Sequence, residues 1–221
     1  QIEMAKSNLR NGDVVIIEYM NYNLQSAEGE LLLSAVGKRY DLYQYYPKEM
    51  LKTILFAYPS YFMKNFNYWR NWGYDPGPPY SITVYDERGN MTAYRGKCWI
   101  PEEYTPEVEE KYKYADFESF YYGIDEPFIK RLNEFSDECG KRGITVLYTV
   151  PCYYEKAIHN GEYMDLYDQK LSEFLNAPLI SRSSGYIFPR EYIYDAIAHC
   201  NTVGAEHRTL LLYRDLQPYL T

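Results

Sequence analysis

Gly143-Ile144-Thr145-Val146-Leu147-Tyr148-Thr149-Val150-Pro151 is an uncharged run that opens on a glycine and closes on a proline. Its continuous apolar character suits a strand buried on both faces, the kind found inside a parallel sheet with helices to either side. Gly12-Asp13-Val14-Val15-Ile16-Ile17-Glu18-Tyr19 repeats the pattern near the start of the chain. Two such strands separated by helical sequence predict an α/β domain.

Working outward from Gly143, Phe128, Leu132, Phe135 and Cys139 recur at helical spacing. Pro127 sits near the first helical position, and Gly140 and Gly143 end the helix. After Pro151 a second helix is expected from about Glu162 to Leu175, then a short strand at Pro178-Leu179-Ile180. Tyr186 to Tyr194 leads into a loop, and Thr202 is expected to cap a last helix from Val203 to about Leu216, ended by Pro218. On the N-terminal side, Tyr40 to Trp72 is helical in pattern but interrupted by Pro47 and Pro59. Asp75-Pro76-Gly77-Pro78-Pro79 stops any helix. Tyr80 to Ile100 alternates around Asp86-Glu87-Arg88-Gly89-Asn90, which suggests a β-hairpin. The whole, residues 1–221, is expected to be one domain carrying a tyrosine-rich excursion over residues 24–122. Its order implies a three-layer α/β/α sandwich on a parallel sheet. A doubly wound sheet has a βα unit before a central strand such as that at Gly12 to Tyr19, and the sequence given does not contain it.

Composition narrows the function. Twenty-eight Tyr, 9 Phe and 3 Trp make 18% of the 221 residues aromatic. Rings of this kind suit sugar faces as well as a packed core. A net charge of -8 argues against a nucleic-acid partner, which selects basic surfaces. No run of 18 apolar residues offers a membrane span, so a membrane would be reached only through a missing N-terminal segment. The N-terminus has no signal-peptide pattern. The four cysteines, Cys98, Cys139, Cys152 and Cys200, show neither CxxC nor zinc-ribbon spacing. No cofactor or metal is expected.

The chemistry concentrates in Tyr194-Asp195-Ala196-Ile197-Ala198-His199-Cys200-Asn201-Thr202-Val203-Gly204. A carboxylate and an imidazole four residues apart, on a loop just before a helix, can work together as orienting group and general base. In an open parallel sheet the ligand site lies beyond the carboxyl ends of the strands. Glu18 to Asn23, Pro151 to Tyr154, the approach near Ser181, and Asp195/His199 all collect there. Asn21 or Asn23 is a candidate oxyanion donor, and Tyr153 and Tyr154 are candidate substrate contacts. Asparagines after a strand also serve simply as turn formers, and an Asp–His pair can be a structural loop contact.

Asp195-x-x-x-His199-x-Asn201-x-x-Gly204-x-x-x-Arg208-Thr209 resembles the last block of SGNH (GDSL-like) hydrolases. It is closest to the bacterial branch related to the D-alanyl-lipoteichoic acid and polysaccharide O-acetyl transfer proteins. Gly12 to Ile17 resembles the family's second core strand, and Gly143 to Pro151 a later strand ending in proline. The resemblance covers residues 10–23 and 125–215. It implies a flavodoxin-like sandwich and a serine-type esterase or acyltransferase acting on O-acyl groups, acetyl foremost, of carbohydrate. His199 and Asp195 are the retained catalytic pair, and the location is outside the bacterial cytoplasm or membrane-anchored. The family's first block, with its nucleophilic serine, is not found, so the nucleophile is expected upstream of Gln1. Cys200 stands where the branch often has Leu, and Glu18 to Asn23 replaces the family's Gly-x-Asn-Asp.

Within the chain, Ser60 and Ser184 are poor nucleophile candidates, because neither follows a strand in a Gly/Asp context. Cys152 follows a buried strand and could pair with a histidine, although a buried cysteine is more simply a small apolar residue. Cys152, His199 and Cys200 lack a second paired motif and make a poor metal set. The alternative from another class is a non-catalytic carbohydrate-binding or cell-envelope assembly domain on the same fold. A nucleotide-binding Rossmann domain is disfavoured, since no glycine-rich phosphate loop follows the first strand. The substrate is thus expected to be an acylated saccharide or a small ester; oligomeric state is not legible.

Overall fold

Both apolar runs form strands, and the strands lie side by side in parallel. In a computed structural model of the protein, the described residues are 2–20, 44, 48–70, 86–87 and 95–220. The chain divides into two units, residues 1–8 with 23–93 and residues 9–22 with 94–221.

In the first unit, helices Ile2–Asn8 (α1) and Lys48–Arg70 (α2) are described. α2 begins directly after Pro47 but runs through Pro59 without ending there, where the sequence pattern suggested an interruption. It carries Phe62, Phe66 and Trp69 along one face, with ring centroids 6.4 and 6.0 Å apart.

The second unit runs β1 (Val14–Glu18), α3 (Pro106–Tyr112), β2 (Ala115–Asp116), α4 (Phe117–Tyr122), α5 (Glu126–Lys141), β3 (Thr145–Thr149), β4 (Tyr153–Tyr154), β5 (Ile158–His159), α6 (Met164–Phe174), β6 (Ile187–Phe188) and α7 (Thr202–Leu216). It is mixed α/β, and its strand pairs β1·β3, β2·β5 and β4·β6 are all parallel. Val14 faces Thr145 and Glu18 faces Thr149. The register is set at its start by Gly12, whose N–H donates to the Gly143 carbonyl at 2.9 Å. Gly12 and Gly143 both turn at positive φ, +88° and +71°, a conformation that favours glycine.

β3 is the buried centre: Leu147 and Tyr148 are fully enclosed, and Tyr148 makes an isolated parallel bridge to Leu179. The expected strand at 178–180 is reduced to that bridge. β1 departs from the expectation of burial on both faces, since Val14 and Ile16 are 41% and 39% exposed. Among the described residues it is hydrogen-bonded to β3 alone, so only part of its surface is covered. α5 packs on β3 through Leu132, Phe135 and Cys139. Its N-cap is Asp125, which accepts from the Phe128 N–H at 2.9 Å.

Two expectations shift. The cap of α7 is Asn201, whose side-chain oxygen accepts from the Gly204 N–H at 2.8 Å; Thr202 is already helical. Its hydroxyl instead accepts from the Arg95 N–H at 2.9 Å. Residues 95–100, the last part of the expected hairpin, are irregular, and the rest of that hairpin lies almost wholly outside the described residues. Residues 95–122, assigned to the excursion on sequence, pack in the second unit: Phe117 is buried against Tyr153 and Tyr167.

Candidate functional site

Residues 192–201 fold back on themselves. The Tyr194 N–H donates to the His199 carbonyl at 2.8 Å, the His199 N–H to Ala196 at 3.0 Å, and the Asn201 N–H to Tyr192 at 2.9 Å. An antiparallel bridge joins Ile193 to Cys200. The loop is held from outside as well, because Tyr154 of β4 donates its N–H to the Ile197 carbonyl at 2.8 Å. Asp195 and His199 stand at its tip with their backbones fixed.

Their side chains meet. His199 Nδ1 lies 2.9 Å from Asp195 Oδ1, with the two side chains 51% and 24% exposed. An ionised carboxylate only accepts, so in the neutral ring the proton belongs on Nδ1 and the lone pair on Nε2. The contact therefore selects the tautomer that a general base needs.

The loop is joined to the carboxyl ends of the central strands. Arg208 of α7 pairs with Glu18, the last residue of β1, and donates to the Val150 carbonyl, just past β3, at 3.1 Å. Cys152 touches Cys200, Sγ to Sγ, at 3.2 Å. Beneath them runs a buried polar chain: Thr149 Oγ1 to Ser181 Oγ at 2.9 Å, Ser181 to the Tyr186 hydroxyl at 3.3 Å, and that hydroxyl to Asp215 at 2.9 Å. Thus Glu18, the Pro151 region, Ser181 and the Asp195/His199 loop are connected through α7.

Beside the loop lies a cleft of about 640 Å³ whose lining includes Arg95, Lys97, Trp99, Ile100, Arg190 and Tyr194. Trp99 is 64% exposed and meets Tyr194 edge-on at 6.3 Å. The Trp99 N–H donates to the Tyr194 carbonyl at 2.6 Å, which fixes the cleft to the loop. Arg190 donates from Nε and Nη2 to the Ile100 carbonyl, while the buried Nε of Arg95 has no hydrogen-bond partner among the described residues. Three cations line this cleft in a chain of net charge -8. The alternation read over Tyr80 to Ile100 pointed to a hairpin and not to a cleft, so the sequence did not reveal the role of residues 95–101.

The other expected residues fare differently. Asn21 and Asn23 lie outside the described residues. Tyr153 and Tyr154 are 6% and 0% exposed and pack into the core, Tyr154 edge-on to Tyr104 at 5.4 Å. Expected as substrate contacts, both rings are enclosed in this structure. Ser60 is in α2 of the first unit, and Ser184 is in a short turn over Ser183–Tyr186. Among the described residues no group of His, Cys, Asp and Glu is arranged to hold a metal, and no helix is long and apolar enough to cross a membrane. His159 stacks on Tyr114 at 4.4 Å and reaches Glu109 at 3.2 Å, a surface contact.

Compared with protein-family models, curated proteins and solved structures, the chain matches none of them.

Proposed function

We propose that this protein is a serine-type esterase or acyltransferase acting on O-acyl groups of carbohydrate, acetyl foremost, on a flavodoxin-like three-layer sandwich. The observation that carries this reading is the 2.9 Å contact between His199 Nδ1 and Asp195 Oδ1 on a loop tied to the ends of the parallel strands. His199 Nε2 takes the proton of a serine hydroxyl as the oxygen attacks the ester carbonyl, and Asp195 stabilises the imidazolium. A backbone amide, with Asn21 or Asn23, holds the tetrahedral oxyanion. As the carbonyl re-forms, the imidazolium returns its proton to the departing sugar oxygen. Water or a second hydroxyl then takes the acyl group by the same steps. The serine comes from a segment N-terminal to Gln1. Support for that position is the apolar surface of β1 at Val14 and Ile16, which a further βα unit would cover. Resemblance to the envelope acyl-transfer branch assigns the work to the outside of the bacterial cytoplasm.

The test is turnover of an acetylated saccharide by the protein with its native upstream sequence. His199→Ala is expected to lower kcat by about 10²- to 10⁴-fold, the range for removing a general base. Undiminished turnover would overturn the assignment. Exposed Trp99 beside Tyr194 favours one other reading, a non-catalytic saccharide-binding domain. It predicts no turnover in the parent protein and loss of saccharide affinity in Trp99→Ala.

A further inference from the structure

Cys152 and Cys200 come from distant parts of the chain, one just beyond β3 and one just before α7, yet their sulfurs are 3.2 Å apart. Both side chains are enclosed, at 1% and 9% exposure. The backbones that carry them are already joined. Cys152 Sγ is 3.3 Å from the Ala198 carbonyl, Tyr154 bonds Ile197, and Cys200 bridges Ile193. A disulfide needs its sulfurs at about 2.05 Å, so bond formation asks for roughly 1 Å of sulfur movement and no rearrangement of the fold. None of the four cysteines is in a disulfide here.

We propose that Cys152 and Cys200 are a reversible dithiol–disulfide pair, oxidised by exchange with a small-molecule or protein disulfide, which fastens the His199 loop to the end of the central strand. The inference is independent of the acyl-transfer reading. Cys200, the more accessible of the two, attacks one sulfur of the oxidant disulfide, whose S–S bond breaks to release one thiolate. Cys152 then attacks Cys200 Sγ, and the second thiolate leaves. The two thiol protons end on the two released thiolates; the cysteines lose two electrons and the oxidant gains them. The microenvironment favours this order. The hydrogen bond from Cys152, with Arg208 nearby, holds the Cys200 thiol below its ordinary range, while the shared hydrogen bond and burial push Cys152 up. Cys200 is therefore the entering nucleophile and Cys152 the resolving one. His199 precedes Cys200 directly, so the bond would restrain the histidine's backbone.

The folded protein, first reduced, is equilibrated with oxidised glutathione, acid-quenched, denatured and alkylated, then measured by intact mass and peptide mapping. The expected result is loss of two hydrogens with no glutathione retained, a 152–200 crosslink, and alkylation confined to Cys98 and Cys139. In Cys152→Ser the expected product is a lasting glutathione adduct on Cys200. Four alkylated cysteines, a crosslink through Cys98 or Cys139, or an unresolved adduct on Cys200 of the parent protein would each overturn the proposal. The parent measurement stands even where the variant does not fold.

Discussion

At the scale of single residues, the Asp195–His199 contact is worth little to stability. Half-exposed ion pairs contribute about 0–1 kcal/mol, so His199→Ala should leave the urea midpoint nearly unchanged while abolishing the proposed base. Asn201 is the opposite case. It is buried, caps Gly204, and donates from its amide to the Glu191 carbonyl. Asn201→Ala is expected to cost about 2 kcal/mol, one part lost cap and one part orphaned carbonyl; equal midpoints for the two variants would contradict this ranking. Asp168 provides a pH handle. Its carboxylate is fully enclosed and accepts from the Ser183 N–H and hydroxyl, both at 2.6 Å. Burial outweighs those bonds and raises its pKa above the ordinary aspartate value. The folded chain therefore keeps this proton to higher pH than the unfolded chain does. Its contribution is complete below the unfolded value and is lost as pH rises through the folded one. Asp168→Asn can still accept the Ser183 N–H and donate to its hydroxyl. It should flatten the fall of stability with pH above about pH 4, read from urea midpoints, and an unaltered slope would refute the assignment.

At the scale of elements, α7 is positioned by a close approach. A methyl group on Gly204 would intrude on the backbone of Tyr192, whereas one on Gly140 of α5 would meet nothing. Gly204→Ala should cost about 3 kcal/mol through overpacking, and Gly140→Ala should add roughly 0.5 kcal/mol. Thermal melts that rank the two variants the other way would contradict the packing described. The same elements show what a sequence reveals. β3 and α5 were legible because an uncharged run and a 3.6-residue stripe are local patterns bounded by Gly and Pro. The Asp195–His199 contact was legible because the two partners are four residues apart. Capping by Asn201 instead of Thr202 was not read from the sequence, although asparagine is the better cap of the two, because both residue types cap helices and the choice between neighbours is made by the backbone. Nor was the meeting of Cys152 with Cys200, which the chain's topology creates across 48 positions. The burial of Tyr153 and Tyr154 was hidden for a related reason: tyrosine looks alike in a core and at a binding face until its neighbours Phe117 and Tyr104 are known.

At the scale of the molecule, residues 9–22 and 94–221 form a unit distinct from residues 23–93. Joining Tyr22 to Tyr94 through a Gly/Ser linker of about 15 residues, long enough to behave as a random coil, should leave that unit folding cooperatively. A single sharp urea transition without binding of a hydrophobic dye is the expected outcome; a broad transition with strong dye binding would show that the two units fold only together. The parallel pairing of Val14 with Thr145 bears on how the protein is made. Most of the chain separates these partners, so β1 leaves the ribosome long before β3 exists. During that interval the segment Val14–Ile17 is a nascent apolar strand with nothing to pair with, a target for chaperones and a hazard for aggregation. Pairing so distant in sequence also carries a large loop-closure penalty and slows folding. Translation speed between codons 19 and 145 should therefore govern the yield of native protein more than translation speed after them.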